Sequence, residues 1–298
     1  MPSTMTIAIA SGKGGTGKTT VATNLAYVAS LEGRTVAYVD CDVEAPNGHL
    51  FLKPRWQVRK TATRPVPCVD DRRCVQCGRC AEICRYSAIV PLGTIVLVYP
   101  ELCHGCGGCA LVCPTGAIAE TPREIGAVEI GLSGSVQFAR GVLNVGEAVS
   151  TPLIRQVKSA TPRADFTVID APPGTSCPVI ESVRGADFVL LVTEPTPFGL
   201  SDLQLAVEMV RCLRLPLAVV VNRADAETRR TREYCAENQI PILAEIPDDR
   251  RIAEAYSRGD LASSVSTGYQ VLVKRLLARL TAIASTLSPP LAGGRNAS

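Results

Sequence analysis

Eight of the thirteen cysteines fall into two runs of identical spacing, Cys74-x2-Cys77-x2-Cys80-x3-Cys84 and Cys103-x2-Cys106-x2-Cys109-x3-Cys113. Thiolate sulfur is the ligand of iron–sulfur cubanes, and a C-x2-C-x2-C-x3-C run gives three thiolates to one cluster and its fourth to the other. Two such runs predict two 4Fe–4S clusters, one held by Cys74, Cys77, Cys80 and Cys113, the other by Cys103, Cys106, Cys109 and Cys84. Pro114 follows the second run, as the pattern expects, whereas Arg85 stands after the first. That exchange leaves the ligands intact and changes the local turn. Structural zinc sites pair two well-separated C-x2-C knuckles, and disulfide frameworks belong to short secreted chains. Four cysteines within eleven positions, twice over, suit cubanes better.

The other cysteines are Cys41, Cys68, Cys177, Cys212 and Cys235. Spare thiols without a leader-like start or a long apolar run predict a reducing, cytoplasmic setting. At 298 residues and 46% hydrophobic content the chain can bury a substantial core, and no stretch approaches the roughly 20 apolar residues of a membrane span. A net charge of +3 and 4% aromatics offer neither the basic stripe nor the stacking residues that nucleic-acid binding uses.

Near the start, Ile7-Ala8-Ile9-Ala10 reads as a short apolar strand, and Ser11-Gly12-Lys13-Gly14-Gly15-Thr16-Gly17-Lys18-Thr19-Thr20 turns from it into a helix. Glycines let the backbone N–H groups close on phosphate oxygens at the positive helix end. Lys18 then reaches the β- and γ-phosphates and Thr19 holds Mg2+. ATP or ADP with Mg2+ is the expected ligand. The additional Lys13 makes this loop resemble the deviant P-loop of the MinD/Mrp/ParA ATPases and the nitrogenase iron protein. Up to its last dozen residues the chain resembles MinD-type ATPases that carry an inserted two-cluster ferredoxin domain. The resemblance implies ATP hydrolysis and a nucleotide-dependent homodimer, or a heterodimer with a paralogous ATPase, in which Lys13 completes the partner's site.

Two further strands end in acids: Thr35–Val39 before Asp40-Cys41-Asp42, and Phe166–Ile169 before Asp170-Ala171-Pro172-Pro173-Gly174. Strand ends are where open α/β sheets put ligands. By the same resemblance, Asp42 orients or activates the attacking water, Asp40 supports the Mg2+ site, Asp170 binds Mg2+ through water and Gly174 senses the γ-phosphate. Helix-capping acids are the plainer reading of Asp40 and Asp42. The resemblance also implies that Asn222, after the strand Leu217–Val221, pairs with a purine, against a plain turn asparagine. The segment Ile246–Arg251 resembles a second base-facing loop.

Positioning these residues requires alternating elements. Strands are expected near 6–10, 35–40, 165–170, 187–193, 217–222 and 242–246. Helices are expected near 18–31, 152–160, 201–213, 228–237, 250–257 and 269–284. Such alternation predicts an α/β fold, a mostly parallel doubly wound sheet of the P-loop NTPase kind. An antiparallel hairpin over Ile125–Gly141, turning at Gly131–Gly134, extends it. The cysteine block interrupts the pattern between proline-bearing flanks and duplicates itself weakly. The organisation expected is an ATPase domain over 1–60 and 121–288, a small ferredoxin-like (α+β) insertion over 61–120, and a disordered tail over 289–298. The amphipathic stretch Val271–Ile283 could mimic a membrane anchor, but it sits where the last core helix belongs.

Three functions fit these features. An ATP-gated electron carrier with a redox or metalloprotein partner uses every motif. A cluster-assembly factor of the carrier ATPase type is the alternative, although the C-x-x-C pair that such carriers bear near their C-terminal region is not present after Cys113. A partner-positioning switch leaves the cysteines unexplained. Cys177 follows Asp170 at the offset of a cluster-ligating cysteine in the nitrogenase iron protein. That makes it a speculative dimer-axis thiol, weighed against a transient ligand and a buried structural thiol.

Overall fold

The computed structural model describes residues 4–287, so the tail expected over 289–298 lies outside the described residues. The uncharged strand β1 (Met5–Ala10) hands the chain through the glycine loop to α1 (Lys18–Leu31). Next come β2 (Val36–Asp40), buried at every position, the short helix α2 (Gly48–Leu52), and the 15-residue strand β3 (Arg55–Val69). The cysteine segment contributes α3 (Arg79–Ile83), β4 (Ile89–Leu92), β5 (Ile95–Val98) and α4 (Gly108–Leu111). The chain returns along β6 (Ile118–Ser133) and β7 (Val136–Leu143). Alternation then resumes with α5 (Thr151–Ala160), β8 (Phe166–Asp170), α6 (Cys177–Val183), β9 (Phe188–Thr193), α7 (Pro197–Cys212) and β10 (Leu217–Ala224). It closes with α8 (Thr228–Glu237), β11 (Ile242–Pro247), α9 (Arg250–Ser257), α10 (Ala262–Val265) and α11 (Thr267–Leu287).

Among the described residues nine strands form one sheet in the order β11-β10-β9-β1-β8-β2-β7-β6-β3. Pairing is parallel from β11 to β7 and antiparallel from β7 through β6 to β3. Helices on both faces bury the parallel strands, which explains their unbroken apolar runs. One core packs Leu25, Phe166, Leu190, Leu276 and Leu280. The other packs Ile154, Ile169, Val189, Leu203 and Val221. Leu276 and Leu280 are at most 1% exposed, so the apolar face of α11 belongs to the fold. Among the described residues no helix is long and apolar enough to cross a membrane.

The expected hairpin does extend the sheet, but with a different turn. Ser133 pairs with Val136, so the turn is Gly134-Ser135, with Gly134 at φ 57°. Nor are its strands short: β6 runs 16 residues, back into the cysteine segment. Together β3 and β6 make a long antiparallel ribbon whose far end carries that segment. Pro65 and Pro67 sit in the edge strand β3, and Pro122 in the end of β6 that β7, whose pairing begins at Gly126, leaves free on its other side.

Candidate nucleotide cleft and cysteine cavities

The ends of β1, β2, β10 and β11 converge on an open cleft. Gly14, Gly15, Gly17, Lys18, Thr19 and Thr20 line it from the glycine loop, Asp42 and Asn47 from beyond β2, and Asn222 and Arg223 from β10. Gly17, at φ 92°, precedes α1 in a left-handed conformation. A Cβ there would collide with the Asn222 amide, whose Nδ2 donates to the Thr16 carbonyl at 2.9 Å. Asn222 therefore braces the loop as well as facing the cleft. Gly12 lies against the backbone of Asp202 in α7, and Thr16 is buried beneath the loop. The Gly174 amide donates to the Ser11 carbonyl at 2.9 Å, tying the segment after β8 to the loop. Sequence reasoning singled out the segment at Asp248 and Asp249, and both residues line the cleft. It missed Asn47 and the α9 face of Ile252, Ala253 and Tyr256, because a partly apolar helix face reads as core.

The acids divide by environment. Asp170 Oδ2 accepts the Tyr38 hydroxyl at 2.8 Å, while its buried Oδ1 has no partner among the described residues. Burial raises the Asp170 pKa, and Lys18 and the hydroxyls of Thr19 and Tyr38 oppose that rise. An orphaned carboxylate oxygen beside a threonine hydroxyl fits the oxygen-donor chemistry of hydrated Mg2+. Asp40, expected to support the metal, accepts hydrogen bonds from its own loop. Its Oδ1 accepts from Asp42 N at 3.2 Å and its Oδ2 from Gly48 N at 3.0 Å, because backbone donors at the strand end need acceptors. Burial and the nearby Asp170 carboxylate push Asp40 well above the carboxylate range. Burial also raises Asp42, to about 6, against the pull of Lys18.

Lys13, expected to reach a second chain, is paired within this one. Its Nζ lies 2.5 Å from Glu194, which also takes Arg223 at 3.1 Å. Cys177, the first residue of α6, is exposed, which removes the buried-thiol reading.

The cysteine segment repeats at an offset of 29 residues, Cys74 to Cys103. Left-handed backbone recurs at Gln76 and Gly105, at Gly78 and Gly107, and at Ser87 and Gly116. The halves also exchange hydrogen bonds, Asp70 N to Ala117 O and Tyr99 N to Ala88 O, both 2.8 Å. Between them lie two small cavities. Cys74, Cys77, Cys80 and Cys113 line the first, and Cys84, Cys103, Cys106 and Cys109 the second. Amides of Ala88, Gly105 and Ala117 donate to the sulfurs of Cys84, Cys103 and Cys113 at 3.3, 3.4 and 3.3 Å. Desolvation acts to raise the Cys113 thiol, but hydrogen bonds from Thr115 and Ala117 outweigh it and hold it below the usual value. Among the described residues no group of three or more Cys, His, Asp or Glu meets the geometry for one metal ion. Four thiols around each cavity, with amides on the sulfurs, fit the donor chemistry of a cubane.

Comparison with known proteins agrees with the cleft. An uncharacterized protein of Methanocaldococcus jannaschii is 35% identical over 275 residues, covering 91% of this chain and 96% of its own. The iron-sulfur cluster carrier protein of the same organism is 24% identical, over 92% of this chain and 84% of its own. Among solved structures, the septum site-determining protein MinD of Pyrococcus horikoshii OT3, complexed with Mg-ADP, aligns with a TM-score of 0.60 at 20% identity. That alignment covers 96% of this chain and 99% of the other, and shows a shared fold. The family described as the CobQ/CobB/MinD/ParA nucleotide binding domain matches residues 7–262, and to that family the chain belongs.

Proposed function

We propose that this protein is a Mg2+-dependent ATPase that couples nucleotide-driven dimerisation or switching to electron transfer through two 4Fe–4S clusters. The observation that carries the reading is the pair of cavities, each walled by three cysteines of one run and the last of the other. They lie at the end of a ribbon that leaves the Asp42–α2 segment of the cleft. In hydrolysis the Asp42 carboxylate takes a proton from water as its oxygen attacks the γ-phosphorus, and the bond to the β–γ bridging oxygen breaks. Lys18 steadies the phosphate charge, and Lys13 does so for a second copy. Mg2+, when bound through Thr19 and Asp170, neutralises phosphate charge. Asn222 and the Asp248 loop flank the base. The clusters, when bound, supply one-electron chemistry to a redox or metalloprotein partner in the cytoplasm. The insertion over 61–120 is the redox module, and 1–60 with 121–288 the ATPase.

The relatives named iron-sulfur cluster carrier proteins favour a second reading, assembly of another protein's cluster. Anaerobically prepared protein should hold about eight irons, as two cubanes require. Reversible reduction through repeated ATP turnover, with the iron retained, supports electron transfer. Iron passed to an apo-acceptor supports assembly, and a chain without iron sinks both.

A further inference from the structure

Arg64, in β3, is 0% exposed, and only one of its three guanidinium nitrogens is used. Nη2 donates to the Pro100 carbonyl at 2.9 Å and to Glu147 Oε2 at 3.0 Å, whereas Nε and Nη1 are buried without a partner among the described residues. A buried cation with idle donors is expensive unless something else compensates it. The Arg64 side chain lies directly against Gly105, in the loop between Cys103 and Cys106, so closely that a Cβ at Gly105 would meet it. Glu147 is its negative partner, the Gly105 wall of the second cavity lies against the Arg64 Cγ, and burial together with the Arg64 charge lowers the pKa of His104, another wall residue, so the charge of Arg64 is felt at that cavity.

Glu147 connects this arginine to the nucleotide cleft. It lies between β7 and α5, and its amide donates to the Asn144 carbonyl at 3.1 Å. The preceding residue, Leu143, donates its amide to the carbonyl of Val43 at 2.9 Å. Val43 follows Asp42 and packs where a side chain at Gly141 would lie. A movement of the Asp42 segment thus acts through one backbone hydrogen bond on the short loop that holds Glu147.

We propose that Arg64 is a positioning residue for the second cavity, placing a buried positive charge beside the group bound there, and that Glu147 transmits the state of the nucleotide cleft to it. The inference rests on the cluster reading above. An anionic cluster bound between Cys84, Cys103, Cys106 and Cys109 lies beside this buried cation, whereas the arginine beside the other cavity is the exposed Arg73, which donates to the carbonyl of the wall residue Thr115. Positive charge favours the more reduced form. When Glu147 shifts away, less of that charge is cancelled and the reduced form gains further.

The test is an anaerobic redox titration of the iron-loaded full chain, followed by electron paramagnetic resonance, without nucleotide and with a Mg2+-bound non-hydrolysable ATP analogue. With iron content unchanged, Arg64→Gln should lower one of the two midpoints by about tenfold in reduction equilibrium, about 59 mV for one electron. Glu147→Gln should raise the same midpoint and abolish its response to nucleotide, and Arg64→Lys should restore most of the wild-type value. Should Arg64→Gln fail to fold, Glu147→Gln and Arg64→Lys still decide the question. Iron-loaded variants whose midpoints match wild type, or in which both midpoints move equally, overturn the proposal alone. A wild-type chain that takes up no iron overturns the cluster reading and this proposal with it.

Discussion

A carboxylate that takes a proton near neutral pH needs a pKa above its ordinary range. Asp42 has one, raised to about 6 by burial against the opposing pull of Lys18. Hydrolysis should therefore fall as the pH drops through about 6, in a profile that reports the ionisation of Asp42. Asp42→Asn should keep nucleotide binding and lose roughly a hundredfold or more in rate. Lys18→Ala should lose binding itself, so equilibrium binding beside steady-state rates separates the two. Stability moves the opposite way. The folded pKa lies above the unfolded value of about 3.9, so ionising Asp42 costs the native state stability as pH rises between them. The nucleotide-free Asp42→Asn chain should melt above wild type at neutral pH, and the gain should shrink toward the unfolded value. In sequence Asp40 and Asp42 look alike, two acids at one strand end. Only packing separates them: Asp40 is fully buried and engaged with backbone amides, whereas Asp42 lines the cleft.

At the scale of elements, the parallel strands and their helices were legible because burial on both faces writes continuous apolar runs that short polar loops punctuate. The expected helix over 228–237 and the strand over 217–222 recur with at most two residues of difference. The β3/β6 ribbon was not legible. Arg55 to Thr61 is exposed along its whole length and its apolar alternation is confined to Trp56 and Val58, too short to betray a 15-residue strand, and the prolines on both arms read as joints. Cysteine spacing revealed the pairing of the runs in the two cavities, while the amides on the sulfurs arise from turns that spacing does not encode. The last helix offers a clear test of the core reading. Leu280 of α11 is 0% exposed and packs in the core beside α1. Leu280→Ala should cost about 2–5 kcal/mol in denaturant unfolding, by lost transfer energy and the cavity left behind. A surface or membrane-facing leucine would cost far less.

At the scale of the whole molecule, the single chain leaves unfinished business on the face beside the glycine loop. Phe198 is 80% exposed and Leu205 54% exposed on α7, the helix whose Asp202 backbone abuts Gly12. Beside them Lys13 is engaged by Glu194, which also holds the cleft-lining Arg223. A second copy docking here would cover the two apolar side chains and receive Lys13, but only after Glu194 releases it. Phosphate oxygens compete with Glu194 for both cations, so ATP favours release and the chain without nucleotide opposes it. Two consequences follow under the proposed function. With Asp42→Asn to block turnover, ATP should drive dimers that light scattering detects at twice the monomer mass. Adding Glu194→Gln should lower the ATP concentration needed, because the lysine then starts free, whereas Lys13→Ala should prevent dimers in either background. Scattering that stays at the monomer mass with ATP for every variant would refute self-association across this face. Dimers of the double variant that form no more readily than those of Asp42→Asn alone would show that Glu194 is no restraint on Lys13.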